Sequence, residues 1–308
     1  MSFRYDEIGN RLKAFRIASG LNADEIAARI GVSRTALYRL EKGELVKLDT
    51  LEKLSELLGV SIPTLLGVGI EYVPSAVAYF ERTRQIEEAA EQISIVTGPI
   101  SLLLSSDKFV HSLEQVLRES IPDDLPHRAR ALEDVTKIMG ILQERRQTYR
   151  LRRPPVVNVI SALGMERFLR NGFVGRPLLS DSVIEKRRML AWEEVEHFAS
   201  VIEEEAIGVQ IGLVTDTTPY AGFQIFRHTD RKILTMSPFR LGEQPNVRVG
   251  IAMITSAPEA LALHEDIVQQ LWRGALKGKE AADYLRALLA SNGPSAKPKT
   301  KAKHKSRR

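Results

Sequence analysis

The chain contains no cysteine, which excludes disulfide staples, thiolate metal sites and a cysteine nucleophile together. It also lacks any apolar run near the roughly 18 residues that a membrane-spanning helix needs. The segment Met1–Arg11 is polar and charged, without the apolar stretch of a secretory leader. These absences lead to the expectation of a cytoplasmic protein, neither exported nor membrane-embedded. No Gly-rich phosphate loop, no helix with paired histidines, no nucleophile elbow and no internal repeat is found. The expectation is therefore a non-enzyme without metal or cofactor.

The charge that is present is unevenly placed. Of a net +5, the segment Ser291–Arg308 supplies seven Lys and Arg with no acid, leaving the rest of the chain mildly acidic at −2. The high isoelectric point thus describes a tail rather than a folded face. Rich in Lys, Pro and Ser and poor in apolar residues, that tail is expected to be disordered. It serves either as a solubilising end or as a nonspecific attraction to phosphates.

At 308 residues, about two folded units are expected. Residues 1–70 read as five short amphipathic helices separated by Gly, Asn, Ser and Pro. Residues 71–153 read as a helical spacer or dimerisation region, with helices over Ala76–Gln92 and Arg128–Arg146. From 154 to 290 the texture changes to strand-like runs at Val156–Ile160, Ile207–Val214, Ala221–Arg227, Lys232–Met236 and Val247–Thr255. Helices Val183–Glu204 and Pro258–Leu276 are interleaved with them, the latter capped by Ser256 with Glu259 three residues on. Short loops between three of the strands predict an α+β domain with a largely antiparallel sheet. The expected whole is multidomain: an all-α unit, a helical spacer, an α+β domain and a basic tail from 291.

The run from Ala23 to Leu40 carries the strongest pattern. Ile26, Ala27 and Ile30 share one helical face, and Gly31 supplies a turn residue able to take positive φ. Val32 plugs the turn, Ser33 can cap a following helix that buries Ala36, Leu37 and Leu40, and Ala27 is small where the helices must cross. This leaves Arg34, Thr35, Tyr38 and Arg39 on the outer face. Arg34 offers a two-pronged donor suited to guanine O6 and N7, worth about 1–3 kcal/mol of discrimination. Tyr38 either stacks on a base or sugar or covers the rim of the core.

Ile8–Val68 resembles the Cro/cI-type, or XRE-family, helix-turn-helix. The resemblance rests on Arg16, the turn Ile30-Gly-Val-Ser33, the run Leu37–Gly43, and Leu51, Leu54 and Leu58. It departs at Ala23, where the family carries Gln. It implies that Arg34, Thr35 and Tyr38 face base edges, while Ser33, Arg39, Lys42 and Lys47 meet phosphates. It also implies that Arg16 and Glu41 pair and, with Gly31, hold the motif together. The partners implied are double-stranded DNA and a second copy of the chain, because a homodimer engages half-sites about 34–36 Å apart.

In the α+β portion, Arg227, His228 and Arg240 read either as lining an effector pocket for an acidic metabolite or as ordinary loop residues, and nothing in their spacing marks a catalytic set. Asp230, Arg231, Ser237 and His264 lie near them. A basic cluster of Arg145, Arg146, Arg150, Arg152 and Arg153 reads as a solvated helix end or a grip on anions. Glu193, Glu194, Glu196 and His197 read as a solvated acidic face rather than a metal site. The leading reading is a ligand-sensing transcription factor. An enzyme with an accessory helix-turn-helix, and a protein-interaction or antitoxin-type protein, are the alternatives.

Overall fold

The computed structural model describes residues 4–44, 47–217 and 222–293. The basic tail beyond 293 and the strand start anticipated at Ala221 lie outside them. Five helices open the chain: α1 (Tyr5–Ser19), α2 (Ala23–Ile30), α3 (Arg34–Glu41), α4 (Leu48–Leu58) and α5 (Ile62–Leu66). Next come β1 (Ile70–Val73), α6 (Ala76–Glu88), β2 (Gln92–Val96), α7 (Asp107–Glu119) and α8 (Arg128–Arg152). The chain continues with β3 (Val156–Ser161), α9 (Ala162–Asn171), α10 (Asp181–Glu204), β4 (Val209–Val214), β5 (Phe223–Arg227) and β6 (Lys232–Met236). It closes with β7 (Ala252–Thr255), α11 (Pro258–Gly274) and α12 (Gly278–Asn292).

All seven strands join one sheet in the order β1-β7-β6-β5-β2-β3-β4. β2, β3 and β4 run parallel, and the other neighbours are antiparallel. The sheet is therefore mixed and mostly antiparallel, as expected. The segment 71–153 differs from a helical spacer, because β1 forms an edge and β2 lies inside the sheet between β5 and β3. Ile86, Ala90 and Ile93 recur at helical spacing, so periodicity alone carries a helix through to Gln92. The β-branched run Ile93–Val96 instead pairs on both sides, and sheet burial overrides the helical pattern.

Two further expectations are corrected. The last strand begins at Ala252 rather than Val247, because the Asn246 amide donates to the carbonyls of Pro238 (3.2 Å) and Val249 (2.7 Å). Its own oxygen accepts from the Val249 N–H at 3.1 Å, which folds 246–249 into a loop. Ser256 does not cap α11; the N-cap is Ala257, whose N–H donates to Thr255 Oγ1 at 3.1 Å.

The sheet's two faces are packed differently. Ile93, Ile95, Ile211, Phe226 and Ile233 join an apolar cluster that continues into the N-terminal helices through Leu12, Ile26, Leu54 and Leu65. The other face presents Val96, Val159, Phe223, Ile225 and Leu234 to Leu261, Val268 and Trp272 of α11.

Charges lock α1 to the rest of the chain. Arg82 of α6 is fully buried and donates to Glu71 of β1 at 2.8 Å and to Glu7 of α1 at 3.4 Å. Arg11 reaches Glu71 at 2.9 Å, and Arg231, in the β5–β6 turn, pairs with Glu7. Burial alone would raise the Glu7 carboxyl, but Arg82, Arg231 and Arg11 outweigh it and hold it down from 4.5 to about 2.

The basic cluster at the end of α8 is corrected in part: Arg150, Arg152 and Arg153 are exposed, but Arg145 and Arg146 are internal. Arg145 is buried against Glu87 at 2.6 and 2.7 Å. Arg146 donates to the Ser105 carbonyl at 2.7 Å and to Asp107 at 3.0 Å, and Arg152 covers the last carbonyls of α6, that of Glu87 at 3.1 Å among them. Arginine forks here satisfy buried acceptors that would otherwise cost about 1–3 kcal/mol each.

Candidate nucleic-acid interface

The placement of α3 is set by caps on α2 and on α3 itself. Asn22 and Glu25 form a reciprocal capping box at the start of α2, each accepting the other's backbone N–H at 2.8 Å. At its end Gly31 adopts φ +76, and the Val32 N–H reaches back to the Ala27 carbonyl at 2.9 Å. Ser33 then caps α3 by accepting the Ala36 N–H at 3.1 Å. The three residues Gly31, Val32 and Ser33 between the two helices set the angle at which α3 leaves α2.

With Leu37 buried beneath it, α3 turns its other side to water. Arg34, Thr35 and Arg39 are exposed, as are Ser33, Lys42 and Lys47 beside them; the Arg34 and Arg39 side chains are 58% and 63% accessible. Tyr38 is half-buried at the rim of the core. Guanidinium carbons of Arg16 and Arg34 approach its ring at 5.8 and 5.5 Å, and its hydroxyl accepts from Arg34 at 3.4 Å. Arg16 forks onto Glu41, its Nη2 donating at 3.1 Å while Nε bonds the other oxygen. Behind that pair α1 crosses α3 at Gly9, where a Cβ would lie 2.5 Å from the Glu41 carbonyl oxygen.

A helix-turn-helix family model matches residues 12–65. The N-terminal domain is a helix-turn-helix of the XRE type. In the helix-turn-helix, two acids that sequence reasoning passed over lie beside the exposed side of α3. Asp24 accepts from Arg34 at 3.2 Å and Glu44 from Arg39 at 2.6 Å. Both pairs are exposed, so each contributes little to stability. The signal for Asp24 lay in the sequence, since the N-terminal turn of α2 faces the start of α3 across Gly31.

The three candidate effector residues do not share one site. Arg227 lines two adjoining cavities on the α11 side of the sheet. His228 sits in the β5–β6 turn, where burial first and Arg231 second push its pKa down. Arg240 pairs through its backbone with Asn246 in a separate loop. Glu194 accepts from the Ser106 N–H at 3.0 Å and is pushed up by burial, while His197 meets the Leu104 carbonyl at 2.9 Å. Among the described residues no cluster of His, Asp and Glu is arranged to hold a metal. No described helix is long and apolar enough to cross a membrane.

Proposed function

We propose that this protein is a sequence-specific transcription regulator that reads double-stranded DNA with α3, acts as a homodimer and responds to a small molecule held in its C-terminal portion. The observation that supports it best is the polarity of α3. Leu37 is buried against α1 and α2, whereas Arg34, Thr35, Arg39 and Lys42 are left to solvent. A helix so presented fits the major groove, with Arg34, Thr35 and Tyr38 toward bases and Ser33, Arg39, Lys42 and Lys47 toward phosphates. With ten Lys and Arg against nine acids in residues 1–70, one copy has little attraction for DNA. Two copies on one site recover affinity through effective concentration.

Selection from random duplexes on the purified protein at physiological salt tests the reading. The expected product is a roughly two-fold symmetric site with half-sites about 34–36 Å apart. Arg34→Ala flattens the preference at one base pair by about 1–3 kcal/mol, and Lys42→Ala weakens all sequences alike and lowers the salt slope by about 1. Failure to enrich any sequence overturns it.

A further inference from the structure

The α11 face of the sheet is apolar at one end and polar at the other, and the change coincides with a cleft. Cross-strand pairing runs Phe223, Val96, Val159 and Gly212 in one row across β5, β2, β3 and β4. α11 covers that row. Trp272 rests directly on Gly212, where a Cβ would stand 2.9 Å from the indole ring. The next row on the same face is Ile225, Ser94, Val157 and Gln210, and beyond it lie Lys232, Arg227 and Gln92. These two rows, with Glu265, Val268, Gln269 and Trp272, line a cavity of about 240 Å³. A second cavity of about 450 Å³ shares Gln92, Val157, Gln210 and Arg227 and opens past Glu91 and Gly208.

We propose that this cleft binds a small organic anion, its oxyanion on Arg227 and its body against Trp272, Val157 and Ile225. The inference rests on the ligand-responsive part of the function proposed above and names its site. Lys232 is paired with Glu265, while Arg227 is exposed and has no side-chain hydrogen bond or ion pair among the described residues. An unpaired guanidinium at the mouth of a concave site suits a carboxylate or a phosphate. Gln92, Gln210, Gln269 and Ser94 supply neutral donors and acceptors around the body, the few placed polar groups that orient a ligand among apolar walls. Polar side chains in the middle of a sheet face serve no packing purpose there, since the neighbouring row shows what a closed face carries.

Position gives the cleft a route to the DNA-binding domain. Arg227 and Lys232 are paired at the base of the β5–β6 hairpin, and the turn between them holds α1 through Arg231 to Glu7 and Asp230 to Arg4. Glu91, on the rim of the larger cavity, accepts from Thr229 in the same turn at 2.7 Å.

The chain has two tryptophans, so Trp192→Phe leaves Trp272 as the only indole. Its emission is titrated, without DNA, against nicotinate and nicotinamide and against AMP and adenosine. One anion of the two is expected to bind, its uncharged counterpart at least tenfold more weakly; which anion it is separates carboxylate from phosphate recognition. Arg227→Gln is expected to cost a further tenfold with an unchanged melting temperature, and Arg227→Lys to recover part of it. Absence of any titration, equal binding of charged and neutral probes, or indifference to Arg227→Gln overturns the site. DNA selection is a separate measurement, so a failed regulator and a failed cleft are told apart.

Discussion

Arg34 and Arg39 each hold an acid, Asp24 and Glu44, and that pairing sets how the surface responds to change. Because Asp24 is exposed beside Arg34, Asp24→Asn removes a repulsion toward phosphates without disturbing a buried contact. The expected outcome is tighter nonspecific binding, by about twofold to fivefold at low salt, fading as the Debye length shortens. Fluorescence anisotropy across a salt series reads it. Glu41 behaves oppositely, since it is buried and accepts the Arg16 fork. Glu41→Ala leaves a half-buried guanidinium uncompensated and is expected to cost about 1–3 kcal/mol, measured by urea denaturation.

Among the elements, the contact between α11 and β4 depends on Gly212 having no side chain. Gly212→Leu drives a branched side chain into Trp272, and overpacking of this kind costs about 1–3 kcal/mol. Displacement of Trp272 is expected with it, read as a red shift of indole emission. The β5–β6 hairpin is the other element whose placement matters. Its strands belong to the sheet, and its turn belongs to the contact with α1. The turn between α2 and α3 needs neither, being closed by its own Gly31, Val32 and Ser33.

For the whole molecule, the helix-turn-helix and the sheet share one apolar cluster and one buried charge network, which argues for a single unfolding transition. Acid tests this directly. Glu7 has its folded pKa lowered to about 2, so the stability it contributes is fully present above its ordinary value of 4.5 and is lost as pH falls from there toward 2. The contribution is on the order of 3 kcal/mol at neutral pH. Glu7→Gln is expected to remove that portion of the acid dependence, with far-UV and near-UV circular dichroism still changing together across the remaining transition. His228 adds to the same trend: its depressed pKa means the unfolded chain takes the proton first, so falling pH again favours unfolding.

Local sequence by itself determined the helix-turn-helix, because caps at Asn22 and Ser33, a left-handed turn at Gly31 and apolar spacing around Leu37 all act within a few residues. It determined the outward residues of α3 for the same reason, and most helices and strands from 154 to 290 through their periodicity. Tertiary structure alone decided that Ile93–Val96 is a strand, that Arg145 and Arg146 of α8 are internal, and that α1 is clamped by a hairpin more than 200 residues away. It also brought Gln92, Ser94, Gln210 and Arg227 onto one open face. Each of these depends on pairing or burial between distant segments, and hydrophobic periodicity carries no information about which distant segment a residue will meet.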